Sequence, residues 1–119
     1  MISPMKDLGK KGEALAVALC KGKGFTIIER NFCTPFGEID IIAKDGNIFV
    51  FIEVKARTGD AYGAPFEAVT RRKREKITKV AMSYMKRFKK EVPARFDVIS
   101  ISMKGETPDL EYIQDAFEV

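Results

Sequence analysis

Acidic and lysine side chains are concentrated in one short stretch of the chain, Gly37 to Lys55. It reads GEIDIIAKDGNIFVFIEVK, two apolar, β-branched runs joined at Asp45-Gly46. An Asp-Gly pair tolerates the positive φ angles of a tight turn, so the stretch predicts a β-hairpin. Because side chains alternate along a strand, an Asp45-Gly46 loop places one set of them on a single face of the sheet. That set is Glu38, Asp40, Phe51, Glu53 and Lys55.

The predicted register of this hairpin makes one face acidic and the other aliphatic. Asp40 faces Phe51, and Glu38 faces Glu53. The other face carries aliphatic side chains: Ile39, Ile41, Ile48, Val50, Ile52 and Val54. The acidic face therefore gathers three carboxylates and one ammonium group, whereas a three-residue loop would move the acids to opposite faces.

The three carboxylates are costly to hold together without a cation. Two like charges about 4 Å apart repel by roughly 4 kcal/mol at an effective dielectric constant near 20. A divalent cation would turn this repulsion into coordination, and such hard oxygen ligands suit Mg²⁺ or Mn²⁺. The alternative is an exposed strand face whose acids point into solvent. The chain has no histidine, so proton transfer would fall to a lysine, a carboxylate or a water molecule on a metal.

The segment from Arg71 to Lys90 carries ten basic residues and one acidic residue. Apolar residues at helical spacing predict an amphipathic helix here: Ile77, Val80, Ala81, Tyr84, Met85 and Phe88. Solvated helices intersperse charges of both signs, so the near absence of acids favours contact with nucleic acid over a merely solubilising surface. The candidate contacts are Arg57 in the loop after the hairpin and, in the helical segment, Arg71, Arg72, Lys73, Arg74 and Lys76.

The segment ahead of the hairpin predicts one helix and one strand. Ser3-Pro4 has helix-initiating chemistry, and apolar spacing carries the helix to about Gly22. Residues 25–30 then predict a strand, followed by an irregular connection. Within the helix, Glu13 lies one turn from a glycine, where a missing side chain would let a ligand approach its carboxylate. The alternative for Glu13 is an ordinary solvated glutamate beside a frayed first turn.

The segment after the hairpin predicts a loop, a helix and two strands. Pro65 begins helical territory, and Thr70 is a second N-cap candidate within it. Residues 95–103 alternate apolar and polar side chains and predict a fourth strand, which joins the sheet parallel to a neighbour after the helical crossover. Residues 109–119 predict a short edge strand.

Length and composition predict one domain, spanning residues 1–119. No apolar run approaches the roughly 20 residues of a membrane helix, so no membrane association is expected. The N-terminal residues lack the apolar core of a secretory signal, and the expectation is a cytoplasmic protein. Cys20 and Cys33 match neither a CxxC pair nor a zinc site, so they are expected to be buried thiols without a disulfide.

Three features in this order resemble the PD-(D/E)XK, or restriction-endonuclease-like, nuclease superfamily: the helical Glu13, GEID at residues 37–40, and EVKAR at residues 53–57. Within it, the chain is most similar to the small bacterial YraN-type family. The similarity covers most of the chain, from GKKGE through RNF, GEIDIIA and FIEVKAR to RFDVI. The superfamily signature is short, and the extended strings are more specific.

This resemblance implies an α/β fold with a restriction-endonuclease-like αβββαβ core, a central mixed sheet flanked by helices. It implies that Asp40 and Glu53 hold Mg²⁺ or Mn²⁺, that Glu13 assists, and that Lys55 orients or deprotonates the attacking water. Glu38 is then a supporting acid. Similarity to archaeal Holliday-junction resolvases in the same superfamily implies branched DNA as substrate, a role in DNA repair or recombination, and a homodimer.

Three functions follow from these observations. The first is a metal-dependent endonuclease, with DNA favoured over RNA. The second is a module that retains the nuclease fold and binds nucleic acid without cutting it. The third is a protein-interaction subunit whose basic helix docks on an acidic partner.

Overall fold

A computed structural model of the chain describes residues 4–57, 70–102 and 106–117. These ranges form two helices and five strands, with the bounds α1 Pro4–Gly22, β1 Thr26–Thr34, β2 Gly37–Asp45, β3 Ile48–Arg57, α2 Arg71–Met85, β4 Ala94–Ser102 and β5 Asp109–Phe117. The strands make one sheet in the order β1-β2-β3-β4-β5. The predicted α/β class with an αβββαβ core is confirmed, and β5 extends that core by one edge strand. Neither described helix is long and apolar enough to cross a membrane.

Strand directions follow from the connections between strands. Strands β1, β2 and β3 are antiparallel, whereas β4 pairs parallel to β3. The segment containing α2 carries the chain back along the sheet, which a parallel pair requires. Strand β5 returns antiparallel to β4. The predicted parallel fourth strand and the edge strand are therefore confirmed, and the carboxyl ends of β3 and β4 lie at the same end of the sheet.

One helix covers each face of the sheet. Ile41 and Ile52 face α1, in a core with Ala16, Val17 and Cys20. Ile42 and Phe51 face α2, in a second core with Ile77, Val80, Ala81 and Tyr84. Strand alternation thus divides the apolar side chains between two helices. At Gly12 an added Cβ would come within 3.0 Å of the Ala56 Cβ, so a glycine lets α1 lie close to β3.

The hairpin register differs from the predicted one by two residues. The loop is Gly46-Asn47 rather than Asp45-Gly46, with Gly46 at a φ of 60°. Ile42, not Asp40, pairs with Phe51. The Asp45 side chain remains at the strand end, where it binds an arginine of β4. Because the shift is even, the acids of β2 and β3 still share one face.

Strand β1 is longer than predicted. It runs to Thr34 rather than ending at Arg30, and Asn31, expected in an irregular connection, lies within it at a φ of 53°. A further irregularity is a register shift against β2 between Ile27 and Glu29. Its neighbours Arg30 and Phe32 pair with Ile41 and Ile39. The position of Asn31 is therefore opposite residue 40 of β2.

Helix α2 begins at the predicted N-cap and is shorter than its apolar pattern predicted. The Thr70 Oγ1 accepts a hydrogen bond from the Lys73 backbone N–H at 3.2 Å, which caps the first turn. The helix ends at Met85, whereas its apolar pattern continues to Phe88. The helical territory predicted from Pro65 to residue 69 lies outside the described residues.

Candidate metal and nucleic-acid site

Asp40 lies where β2 separates from β3. The pairing of the two strands ends at Ile41 and Ile52. Beyond it, the Asp40 Oδ2 accepts a hydrogen bond from the Val54 backbone N–H at 2.8 Å, so a carboxylate replaces a ladder acceptor. Ile39, predicted on the Ile41 face, packs instead in the α2 core. This local break in alternation fixes the Asp40 carboxylate at the edge of β3.

Glu53 is the buried acid of the site, with a side chain only 8% exposed. Continuing the β2–β3 register places Asp40 opposite Glu53, so the predicted pairing of Glu38 with Glu53 is wrong. A cleft of about 310 Å³ opens between these strands and the first turns of α2. Its lining is Gly37, Glu38, Asp40, Glu53, Val54, Lys73, Lys76 and Ile77.

Two ammonium groups meet the Glu53 carboxylate. Lys73 Nζ lies 2.8 Å and Lys55 Nζ lies 3.4 Å from the same oxygen, Oε1. Lys73 is on the first turn of α2, which its Thr70 cap holds in place. The sequence predicted Lys73 as a nucleic-acid contact, and the structure adds a place for it beside the acids. We call Asp40, Glu53, Lys55 and Lys73 the carboxylate–lysine cluster.

Electrostatics in this cluster shift three pKa values. Burial and the charge of Glu53 raise the pKa of Asp40 to about 7, against the opposing hydrogen bond from Val54. Burial and the adjacent Lys73 hold the pKa of Lys55 below its ordinary value. Burial is the largest single influence on the pKa of Lys73 and acts to lower it, but the hydrogen bonds to Glu53 and Lys55 and the charges of Glu53 and Asp40 together raise that pKa. The protonation state of each of these three side chains therefore depends on the charges of its neighbours.

The donor set fits a hard divalent cation that retains water ligands. Asp40 and Glu53 present two carboxylates at one edge of the cleft, and a bound cation would oppose both the burial and the Glu53 charge that raise the pKa of Asp40. Mg²⁺ binds through one or two carboxylates and keeps several waters. Among the described residues, no three Asp, Glu or Cys side chains converge as a metal-binding group. The pair therefore suits Mg²⁺ or Mn²⁺ better than a closed structural metal site.

Glu38 is exposed and lines the same cleft as this pair. Its Oε2 lies 3.2 Å from the Cys33 Sγ, and its charge contributes to the raised pKa of Asp40. Cys33 is exposed, so the expectation of two buried thiols is wrong for it and correct for Cys20. The supporting role of Glu38 stays a prediction.

Glu13 is anchored on β1. Its Oε1 accepts a hydrogen bond from Asn31 Nδ2 at 2.7 Å and lies 3.5 Å from Arg30 Nε. Asn31 occupies the strand position opposite Asp40, but Glu13 is not among the residues that line the cleft. The predicted assistance of Glu13 stays a prediction. Asn31 is a residue the sequence did not single out, although its place in an apolar strand was an available signal.

The predicted nucleic-acid contacts differ in their placement. Three of them are exposed on the first turns of α2: Arg71, Arg72 and Lys76. Arg74 is half-buried, with its guanidinium 5.6 Å from the centre of the Phe117 ring. Arg57 ends β3, and its side chain lies outside the described residues. The exposed basic residues thus adjoin the cleft, which Lys76 also lines.

A second polar cluster, which the sequence analysis missed, lies on the α1 face. Arg95 Nε lies 3.0 Å from Asp97 Oδ2, and Arg95 Nη1 lies 2.9 Å from Asp45 Oδ2. Asp97 is fully buried and also accepts hydrogen bonds from the Tyr112 hydroxyl and the Asp115 backbone N–H. We call Asp45, Arg95, Asp97 and Tyr112 the Asp97 cluster. In the sequence, this cluster could have been recognised by two opposite charges, Arg95 and Asp97, at alternate positions of an apolar strand.

Comparison with known sequences gives consistent matches along the chain. Residues 12–101 match the uncharacterised protein family UPF0102. A UPF0102 protein of Thermodesulfovibrio yellowstonii is 51% identical over 93% of this chain and 96% of its own length. One of Geobacter metallireducens is 48% identical over 96% of this chain and 94% of its own. One of Clostridium botulinum is 45% identical, with 96% of each chain covered.

Proposed function

We propose that this chain, which belongs to the UPF0102 family, hydrolyses phosphodiester bonds of nucleic acid in the cleft at Asp40 and Glu53, with a divalent cation. One observation carries the proposal: two carboxylates and two lysines meet in an open cleft beside exposed basic residues of α2. A polyanion held on α2 would place a backbone phosphate near these groups. The resemblance of GEID and EVKAR to nuclease motifs points in the same direction.

Each member of the cluster has a separate task in this proposal. Asp40 and Glu53 would hold the cation, and Asp40 is oriented for it by the Val54 N–H. When bound, Mg²⁺ or Mn²⁺ supplies Lewis-acid polarisation of the phosphate and neutralises developing negative charge. Lys73 would leave Glu53 and bind a phosphate oxygen. Lys55 would orient the attacking water or take its proton.

The net reaction is a hydrolysis and needs no further reactant. A water oxygen forms a bond to phosphorus, the bond to one ester oxygen breaks, and that oxygen leaves with a proton. Basic side chains on α2 contact backbone phosphates without reading sequence, so selection among substrates would rest on nucleic-acid shape. Branched DNA, as in repair or recombination, is the first substrate class to test, and a homodimer is the expected assembly on such a substrate.

Cleavage of a substrate panel tests the proposal. The purified protein is incubated with Mg²⁺ or Mn²⁺ and with linear, flapped, mismatched and four-way DNA, together with RNA of the same sequences. Asp40→Asn and Glu53→Gln should each reduce cleavage by about 100-fold or more, since each removes a charged ligand of the cation that polarises the reacting phosphate. The control is Glu75→Gln, which removes an exposed charge from the same helix as Lys73. Absence of cleavage by the unmodified protein, or equal cleavage by Glu53→Gln, would refute the proposal.

A second candidate is a module that binds nucleic acid without cutting it. The favouring observation is that Lys55 and Lys73 already neutralise Glu53 without a metal. This function predicts salt-sensitive binding that survives Glu53→Gln and falls when Arg71, Arg72 and Lys76 are neutralised. Measuring affinity and cleavage on the same variants separates the two functions. Binding without cleavage by the unmodified protein favours the module. Cleavage by the unmodified protein that Glu53→Gln removes while affinity is retained favours the hydrolase.

A further inference from the structure

An exposed phenylalanine stands at the turn between β1 and β2. Thr34 pairs with Gly37, so Pro35 and Phe36 form a two-residue loop. The Phe36 side chain is 53% exposed, and its backbone N–H donates to the Thr34 Oγ1 at 3.1 Å. Gly37 follows at a φ of 149°, a conformation that favours glycine. The loop is short and internally bonded, so it presents the ring in a defined place.

The surroundings of this ring are cationic and adjoin the cleft. Lys79 Nζ lies 6.0 Å from the centre of the Phe36 ring. A Cβ added at Gly37 would lie 3.8 Å from the Cβ of Lys76, which places the turn over α2. Gly37 and Lys76 both line the cleft that contains Asp40 and Glu53. The ring therefore stands between the basic surface of α2 and the rim of the cleft.

The chemistry of this surface selects one kind of occupant. A single exposed apolar side chain is ordinary on a protein surface. An aromatic ring beside lysines and a candidate phosphate site, however, suits the binding of a nucleotide. Phosphates bind the cations and the base stacks on the ring. The other large apolar side chains exposed in the described ranges lack this setting: Leu110 lies on β5, and Met82 lies beside an apolar groove at the end of α2.

We infer that Phe36 is a stacking platform for an unpaired nucleobase, so that this protein prefers nucleic acid with a single-stranded segment beside the cleft. A base inside a duplex offers no free face to a ring on a hairpin tip, because its neighbours already stack on it. Branch points, flaps and strand ends supply such a base. The inference rests on the nucleic-acid ligand of the proposed function, and it does not depend on cleavage.

A fluorescent reporter tests this directly, because the chain contains no tryptophan. Phe36→Trp is titrated, without metal, with a short single-stranded oligonucleotide and with a duplex of equal length. Stacking should quench the tryptophan strongly with the single strand and only weakly with the duplex. Leu110→Trp is the matched control and should respond to neither. Parallel titrations with oligothymidylate and oligouridylate show whether DNA or RNA is the better source of the base.

Affinity measurements on Phe36→Ala and Phe36→Leu complete the test. Phe36→Ala should weaken single-strand binding about tenfold and leave duplex binding unchanged, and Phe36→Leu should restore little of the loss because it lacks a π-face. Equal losses for single strand and duplex, or no quenching while both still bind, would overturn the stacking inference alone. Absence of binding to either would overturn the proposed nucleic-acid function as well. A change in self-association of Phe36→Ala on sedimentation would identify a second copy as the occupant and also overturn the inference.

Discussion

The sheet carries one polar cluster on each face, and the two are built on opposite principles. In the Asp97 cluster, the central carboxylate is fully buried and receives Arg95, Tyr112 and a backbone N–H. In the carboxylate–lysine cluster, two acids adjoin each other and two lysines share one oxygen of Glu53, beside an open cleft. The first cluster pairs its charges internally, and among buried side-chain polar atoms within the described residues only Arg95 Nη2 has no hydrogen-bond partner. The second has charges that a ligand could still rearrange.

This difference separates a structural network from a functional one. The buried Asp97 carboxylate accepts hydrogen bonds from Arg95, Tyr112 and a backbone N–H. Removing this carboxylate would leave the buried Arg95 with the desolvation cost of its charge. Neighbouring like charges cost stability in the free protein and become favourable when a cation or phosphate arrives. The two clusters should therefore respond in opposite ways to substitution, pH and ligands.

The largest effect should come from Asp97→Ala. It leaves Arg95 buried with only the half-exposed Asp45 as a charged partner, and breaking such a pair costs about 3–5 kcal/mol of the free energy of unfolding. Urea unfolding followed by circular dichroism measures this loss. Nucleic-acid affinity of the folded variant should be unchanged, because the cluster lies on the α1 face.

Two further variants keep this test interpretable. Glu75→Ala breaks an exposed ion pair with Arg71 on α2 and should cost less than about 0.5 kcal/mol. Tyr112→Phe removes only the hydroxyl that donates a hydrogen bond to Asp97, and it should lower the free energy of unfolding by about 1 kcal/mol. This variant remains informative even where Asp97→Ala fails to fold. Equal effects of Asp97→Ala and Glu75→Ala would show that the Asp97 cluster is not a structural network.

The next effect is a pH dependence specific to the other cluster. Asp40 has its pKa raised to about 7 by burial and by Glu53. As pH rises from about 5 to about 8, the unfolded chain has already released this proton while the folded chain must give it up, so stability falls by about 2–3 kcal/mol. Asp40→Asn carries no ionising group there and should lose this part of the dependence.

Urea unfolding of both proteins at about pH 5 and about pH 8 measures the effect. The difference between the unmodified protein and Asp40→Asn isolates Asp40 from the other carboxylates. Added Mg²⁺ at the higher pH should restore stability to the unmodified protein more than to the variant. A constant difference across the pH range would show that the pKa of Asp40 is not raised in the folded protein.

The shared face of the acids was predictable from the sequence, and their register was not. Whether residues 40 and 53 point to the same face depends only on whether a register shift is even or odd, and the observed shift is even. The register depends on whether Asp45-Gly46 or Gly46-Asn47 makes the turn, and both dipeptides suit one. Arg95, on the distant strand β4, binds the Asp45 side chain at the end of β2. Local turn preferences cannot predict this contact.

Long-range placement also explains the other omissions. Lys73 was recognisable as a basic residue of α2, but its contact with Glu53 depends on how the helix returns over the sheet. Asp97 and Tyr112 are 15 residues apart in sequence, and only the β4–β5 pairing brings them together. The family resemblance pointed to Asp40 and Glu53 as a pair, because motif residues that are distant in sequence lie close together in a shared fold. Its RNF string includes Asn31 but does not reveal the contact of that residue with Glu13.

The smallest effect tests whether the lysines of the second cluster are replaceable counter-charges. Lys73→Met removes the ammonium 2.8 Å from Glu53 while keeping an unbranched apolar stem. Isothermal titration with Mn²⁺ should show about tenfold tighter binding, equivalent to about 1.4 kcal/mol, because the cation no longer displaces Lys73 from the carboxylate. Lys89→Met removes an exposed charge and should change Mn²⁺ affinity little, since distant surface charges are screened. Unchanged or weaker Mn²⁺ binding by Lys73→Met would mean that Lys73 does not compete for Glu53, and the second cluster would then resemble the first as a closed ion-pair network.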